Sequence, residues 1–270
     1  MLTFLRSPKW VIGTLLAVVG AGVFTWCGFW QLRRLDEVRS YNATFSSRLA
    51  EAPVDLEVLL AQGGTDEAAL AYRRVTVSGT YRTDEETLWS TVSYQGTPGH
   101  HVLTPLETAG GTGVIVDRGW VPLELDTPPV AQATPAQGEV TVSGVLFPSQ
   151  DDGRFTPEPG EGRLPYVRRV DLPRLQEQVG VALAPVYILA QQSSPAATAD
   201  LPLPGELPVL DEGSHASYAV QWFVFASVVV VGWPVLIWRT ARDRARSDGD
   251  DRGGRPRERV AAGAGTRSSA

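Results

Sequence analysis

The sequence predicts an α+β membrane protein: a transmembrane helix hairpin that carries a strand-rich, largely antiparallel domain between its two helices. Uncharged apolar runs occupy residues 10–32 and 218–238, and the segment between them alternates with a period of two. Between Arg33 and Trp238 lie 25 of the 30 acidic residues but only 13 of the 24 basic ones. The acidic middle of the chain therefore differs in both pattern and charge from its ends.

The first apolar run is long enough to be a permanent anchor. As a helix, residues 10–32 would measure about 34 Å, against a hydrocarbon core of about 30 Å. A secretory signal has an apolar core of about 7–15 residues followed by small residues. This run is longer and ends in Trp26, Phe29 and Trp30. We therefore predict a retained transmembrane helix, preceded by a cytoplasmic segment at residues 1–9.

The second run fixes the predicted topology. Four arginines follow residues 218–238 closely, namely Arg239, Arg242, Arg244 and Arg246. Basic residues stay on the cytoplasmic side, so both termini should be cytoplasmic in a multi-pass plasma-membrane protein. Residues 33–217 should then be extracytoplasmic. The tail at 239–270 is rich in Arg, Gly, Asp and Ser, which predicts a disordered basic segment that membrane lipid attracts.

The exported segment should begin with helices and continue as strands. The first helix should continue outward until Pro53, and a short helix should start at Asp55. Alternating segments predict strands over 72–82, 86–94, 100–107, 112–120 and 138–147. Asp171 is typical of a helix N-cap, and one more strand should start at Pro185. This order favours an α+β domain whose sheet can close like a barrel, with residues 191–210 as a Pro-rich tether.

Composition and motifs exclude most catalytic classes. One cysteine cannot form an intrachain disulfide or a CxxC site, and there are only three histidines. Common signatures of hydrolases, zinc proteases, nucleotide-binding loops and dinucleotide folds are missing, so no enzymatic activity is predicted. The net charge of -6 argues against nucleic acid as a partner. His100 and His101 are adjacent, so in a strand they point to opposite faces, and we expect structural roles for both.

The start of the second span carries the clearest candidate site. His215, Tyr218 and Trp222 are spaced to share one helix face, with Gln221 beside them. A metal-bearing macrocycle such as haem needs an axial ligand of this kind, ring walls and a polar edge. An aromatic belt with a capping histidine would look the same. Both interpretations stay open on the residues alone.

The end of the first span adds further candidates at the same membrane depth. Trp26 and Trp30 lie one turn apart, and Arg33 and Arg34 follow them. Guanidinium groups there could clamp the propionates of a haem or anchor lipid phosphates. The residues do not decide between the two.

Several segments, taken in order, resemble the Surfeit-locus protein 1 family, the two-span assembly factors of haem-copper (aa3-type) cytochrome c oxidase. They are GFWQLRRLDE, YRRVTVSGTY, HVLTPLE, VIVDRGWVP, RFTPEPG, YVRRVDLPRL and HASYAVQWF. Only around residues 155–166 does the chain depart from the family pattern, with Glu158-Pro159-Gly160 and Pro165-Tyr166.

The resemblance implies an assembly factor that binds haem a, or hands it on, for insertion into oxidase subunit I. It implies His215 as the ligand of the haem iron, with Tyr218, Gln221 and Trp222 alongside. Trp30, Gln31, Leu32 and Arg33 match the first-span motif. Expected partners are subunit I, haem a synthase and membrane lipid. An anchored interaction module that stabilises oxidase or other envelope complexes without a cofactor is the alternative.

Overall fold

The chain folds into two units, which the computed structural model describes over residues 3–64, 66–150, 163–197 and 199–253. The helical unit comprises Met1–Ser40 and Asp211–Ala270, and the head domain comprises Tyr41–Leu210. The departure from the family pattern at 155–166 lies mostly outside the described residues.

Two long helices form over the apolar runs. Helix α1 (Pro8–Ala50) has proline at its first position, where no backbone donor is lost, and it ends before Pro53 as predicted. The last helix of the chain (His215–Gly253) contains Pro234. Both helices are long and apolar enough to cross a membrane, and most of their apolar side chains are exposed.

The last helix corrects one prediction. Residues 239–270 were expected to be disordered, but the helix continues through Arg239 to Gly253. Arginine and alanine, which recur just after Trp238, have high intrinsic helix propensity and can extend a helix that is already nucleated. Residues 254–270 lie outside the described part of the chain.

The two helices of the helical unit pack through small residues and aromatic rings. A Cβ added to Gly13 would lie 2.5 Å from the Trp233 ring, and one added to Gly28 would lie 2.7 Å from Phe223. The ring centroids of Phe24 and Trp222 are 5.7 Å apart. Glycine on one helix thus makes room for bulky rings on the other, a packing that is also common between membrane helices.

The head domain is built on a closed five-stranded barrel, which confirms the predicted α+β class. Its strands follow the order β2, β6, β8, β5, β4, and β4 pairs back with β2. The barrel strands are β2 (Arg74–Tyr81), β4 (Thr97–Thr108), β5 (Thr112–Pro122), β6 (Glu139–Pro148) and β8 (Ala182–Ser194). Four of the five barrel pairings are antiparallel, and only β5 and β8 are parallel.

Shorter elements extend this sheet and cover it. Strand β3 (Thr87–Tyr94) pairs with β4, while β1 (Val54–Asp55) and β7 (Tyr166–Val167) pair with β2 and β3. The short helices are α2 (Leu56–Gly63), α3 (Glu67–Leu70) and α4 (Leu172–Gln176), so the His215–Gly253 helix is α5. Asp55 and Asp171 cap α2 and α4 as predicted, since each carboxylate accepts backbone N–H groups at the helix start.

Strand alternation assigns neighbouring apolar residues of β5 to different clusters. Val114 and Val116 of β5 belong to the larger cluster, together with side chains from α2 and α3. Ile115, between them, belongs to a second cluster with Leu172 and Leu175 of α4. Successive side chains of a strand point to opposite faces, so one cluster fills the barrel and the other lies under α4.

The two VTVSG segments pair with each other. Val75 lies opposite Gly144 and Gly79 opposite Val140, with the register centred on Val77 and Val142. A Cβ on Gly79 or on Gly144 would approach a backbone carbonyl oxygen to 2.3 Å. The glycines therefore permit close backbone approach where each strand changes partner or register.

The segment predicted as a free tether is packed against the barrel. Strand β8 runs to Ser194 and pairs with β6 through that residue. Farther on, Leu203 forms an antiparallel bridge with Trp120, and Leu201 packs on the cluster that contains Val121. The tether prediction is therefore wrong for these residues, because two leucines among the prolines bury apolar surface.

Candidate functional site

His215, the predicted haem ligand, is the first residue of α5 and is oriented by α1. Its Nδ1 lies 2.8 Å from Oε1 of Gln31. An amide oxygen only accepts, so Nδ1 donates, and in the neutral form of the ring Nε2 carries the lone pair. The half-buried imidazole thus has a defined orientation with one nitrogen left for a ligand.

The other predicted residues on α5 divide between two environments. Trp222 follows His215 by two helical turns and lies on the same face, where its ring stacks on Phe24 with an interplanar angle of 30°. Tyr218 and Gln221 are exposed. His215 and Trp222 therefore share one face, while Tyr218 lies about 60° and Gln221 about 120° around the helix from His215.

On α1 the structure separates the predicted residues from Gln31. Around the helix axis, Trp30 lies about 100° from Gln31 in one direction and Arg33 lies about 200° from it in the other. Both side chains are exposed. Arg34 is on the nearer side and forms an exposed ion pair with Glu37, with Nη1 and Oε2 2.8 Å apart. The predicted Trp30 and Arg33 thus do not share the helix face of Gln31.

An ion pair joins the ends of the helical unit close to His215. Both guanidinium contacts of Arg39 with the Glu212 carboxylate are short, at 2.9 and 2.8 Å. This bidentate contact lowers the pKa of Glu212. Both side chains are about half exposed, so the pair positions the segment before α5 more than it stabilises the fold.

In the head domain, His101 and Asp117 form a buried pair that the sequence did not predict. Nδ1 of His101 lies 2.7 and 2.9 Å from the two carboxylate oxygens of Asp117. The backbone N–H of Gly119 donates to the same carboxylate at 3.0 Å. A register shift between β4 and β5, next to His101 and Leu103, brings the two side chains together.

The neighbouring Arg118 points to the other face and pairs with Glu86. Its Nη1 lies 3.1 Å from Oε2 of Glu86, and Nη2 donates to the carbonyl oxygen of Ala133. Oε1 of Glu86 accepts the N–H of Val130 at 2.7 Å, and Thr104 donates to Oε2 at 3.2 Å. Arg118 and Glu86 thus tie the segment at 130–133 to the barrel.

Burial dominates the electrostatics of this pair. It raises the pKa of Glu86 and lowers the pKa of Arg118, and in each case the opposite charge only partly compensates. Tyr81, whose ring lies 5.5 Å from the Arg118 guanidinium, has its pKa raised to about 12, chiefly by burial. The arrangement is a costly buried ion pair with a structural role.

Among the described residues, neither the surroundings of His215 nor those of His101 and Asp117 offer the ligands of a structural metal ion. Within the described ranges, no three or more His, Cys, Asp or Glu side chains come close enough to hold a metal. His215 instead suits a metal that brings its other ligands with it, as the iron of a haem does.

Comparison with known proteins identifies the family. A protein-family sequence model, described as the SURF1 family, matches residues 18–227. The chain belongs to the SURF1 family. This match confirms the family resemblance that the sequence motifs indicated, and it includes both His215 and the His101–Asp117 pair.

Relatives in distant organisms share this family name. A SURF1-like protein of Mycobacterium bovis is 29% identical over 255 residues, covering 91% of this chain and 89% of the relative. A SURF1-like protein of Drosophila melanogaster is 28% identical, covering 82% and 76%. One from Rickettsia bellii is 26% identical, covering 76% and 82%. The similarity therefore extends over both units of the chain.

Proposed function

We propose that this SURF1 family protein is a membrane-anchored, non-catalytic assembly factor for haem-copper cytochrome c oxidase, and that it holds haem a through His215. The proposal rests on the hydrogen bond from His215 to Gln31. Such a second contact fixes the ring and the tautomer of a metal-binding histidine. Nε2 is then directed for coordination before haem arrives.

The surroundings of His215 fit a cargo that must be released. His215 would be the single protein ligand of the haem iron, and one ligand would be easier to replace than two when the haem is handed on. Trp222 is held by Phe24, whereas Tyr218 is 48% exposed and can contact a ring that enters from the lipid. Arg34 lies nearer to the face of Gln31 than Arg33, so it is the better placed of the two arginines for a propionate.

The proposed topology places this site at the outer side of the plasma membrane. The two apolar helices would span the bilayer, with both termini in the cytoplasm and the head domain outside. Haem a synthase would supply the haem, and subunit I would receive it. A reporter fused after Trp238 should then be cytoplasmic, and one fused between residues 195 and 200 should be exported.

Spectroscopy of the full chain tests the haem proposal. The protein is co-expressed with the enzymes of haem a synthesis, purified in detergent, and its haem a absorption is compared with that of variants. We expect haem a in the wild type, its loss in His215→Ala, and a reduction of roughly 10-fold or more in affinity for Gln31→Ala. His100→Gln is the matched control, because it removes a histidine of the head domain.

Two results would refute the proposal. One is folded wild type without haem a, and the other is His215→Ala with undiminished haem a. If folded wild type without haem a still supported oxidase assembly in cells, the chain would act as an interaction module without a cofactor.

A further inference from the structure

A cavity in the head domain is lined by a histidine that the proposed function does not use. The cavity has a volume of about 370 Å³ and lies on the outside of the barrel, where β3, β4, β5 and β8 meet the segment at 206–208. His101 and Asp117 are part of its wall. This volume lies within the range typical of small-molecule sites.

His101 lines this cavity and has one ring nitrogen without a hydrogen-bond partner among the described residues. Its side chain is 10% exposed, and Asp117 holds Nδ1 from the opposite side of the ring. Asp117 in turn is 1% exposed and accepts a backbone N–H, so the pair is fixed. In the part of the chain that the structure describes, Nε2 has no hydrogen-bond partner. With Nδ1 donating to Asp117, the neutral form of the ring offers Nε2 as an oriented acceptor.

The remaining wall is aromatic and negatively charged. Glu206 is the second carboxylate on the lining, and no lysine or arginine is among the lining residues that the structure describes. Trp89 contacts His101 edge to face with ring centroids 5.5 Å apart. Phe147 and Tyr187 stack on each other at 5.7 Å, so their rings form one continuous wall. Aromatic faces and carboxylates attract the same class of ligand, an organic cation.

Tyr187 adds to this acceptor-rich surface. Burial, and to a lesser degree the Asp117 charge, raises the pKa of its hydroxyl. The hydroxyl already accepts a hydrogen bond from the Gln150 side chain at 3.2 Å, so it remains a neutral, polar element of the wall. The described lining of the cavity thus contains no lysine or arginine, and it contains several groups that accept hydrogen bonds from N–H donors.

We propose that this cavity binds a primary ammonium group on a short aliphatic chain. The N–H donates to Nε2 of His101, the charge faces Glu206, and the methylene groups pack on Phe147 and Tyr187. This site goes beyond the proposed haem function, since it shares no residue with His215 and its partners. Both a free alkylamine and a lysine side chain of another protein carry the required group.

Nuclear magnetic resonance of the full chain can test the site, because the protein has only three histidines. Histidine is labelled with carbon-13, the three imidazole signals are assigned with His100→Gln and His215→Gln, and n-butylammonium chloride is titrated in. We expect a saturable shift of the His101 signal alone. The uncharged n-butanol, of the same chain length, should bind at least 10-fold more weakly.

Because Glu206 is exposed, its substitution tests the site without disturbing the fold. Glu206→Gln should weaken n-butylammonium at least threefold and leave n-butanol unchanged, whereas Glu139→Gln, an exposed carboxylate on β6 outside the cavity, should change neither. The absence of a His101 shift, equal binding of the amine and the alcohol, or equal effects of the two variants would each overturn the proposal.

A second titration distinguishes the source of the ammonium group. A short peptide with one central lysine should bind 10-fold or more tightly than n-butylammonium if the site takes a protein side chain. Equal or weaker binding of the peptide, with the amine still bound, assigns the site to a free amine. Each of these results supports the site, and the haem a spectrum of His215→Ala reports separately on the proposed function.

Discussion

Removing one partner of the buried pair between Glu86 and Arg118 should destabilise the head domain strongly, while removing both should not. Their side chains are 1% and 5% exposed. In Glu86→Gln the Arg118 guanidinium keeps its hydrogen bonds to Ala133 and Thr104 but loses the opposite charge of the carboxylate. In Arg118→Met the carboxylate stays buried with only neutral donors. Breaking one side of such a pair costs about 3–5 kcal/mol.

The double variant follows from the same electrostatics. Burial shifts both pKa values against the charged forms, so the pair gains less from attraction than it loses from desolvation. Combining Glu86→Gln with Arg118→Met would leave no buried charge at this place, and the new amide could still accept the N–H of Val130. We therefore expect the double variant to be more stable than either single variant, with a coupling of about 2 kcal/mol or more.

Thermal unfolding of the full chain in detergent, followed by circular dichroism, measures these differences. About 3–5 kcal/mol corresponds to a decrease in Tm of roughly 6–20 °C for a domain of this size. Glu107→Gln is the matched control, because its contact with Arg82 is partly exposed and should matter by about 1 kcal/mol or less. Single variants that unfold like this control, or a double variant whose loss equals the sum of the single losses, would refute the reasoning.

Three further substitutions test other parts of the structure. Gly119→Ala should lower the stability of the head domain by about 2 kcal/mol or more, measured by denaturant unfolding, because Gly119 has φ +122 and a Cβ would lie 2.0 Å from a backbone oxygen. Gly28→Leu should separate α1 from α5, read as a longer distance between spin labels on the two helices, whereas Gly22→Leu should not, since no atom lies within 4 Å of its added Cβ. Replacing Arg33 and Arg34 with glutamine should lower haem a retention if they contact propionates, and unchanged retention would assign them to lipid.

The sequence was informative wherever a pattern is local. Alternation of valine and threonine predicted β2 and β6 correctly, because the residues of a strand themselves alternate between its buried and exposed faces. Asp55 and Asp171 marked helix starts for the same reason. The closure of the barrel was only one option from sequence, because it depends on the pairing of β2 with β4.

The misses have physical causes too. His101 and Asp117 lie on different strands and meet only through a shift in register, which neither strand's pattern reveals. The contact of His215 with Gln31 depends on how two helices are rotated about their axes. The packing of Leu201 and Leu203 was not predicted, because the proline-rich composition around them does not show which individual side chains contact the barrel.

The position of β8 in the barrel has a consequence for how the domain is made. This strand lies between β5 and β6, yet it is the last of the five to leave the ribosome. Until Ser194 has been synthesised, β5 and β6 each have one edge without a pairing partner. The barrel of the nascent head domain is therefore not closed. Because exposed strand edges invite pairing with other chains, a truncation before residue 194 should produce an aggregation-prone product instead of a smaller folded domain.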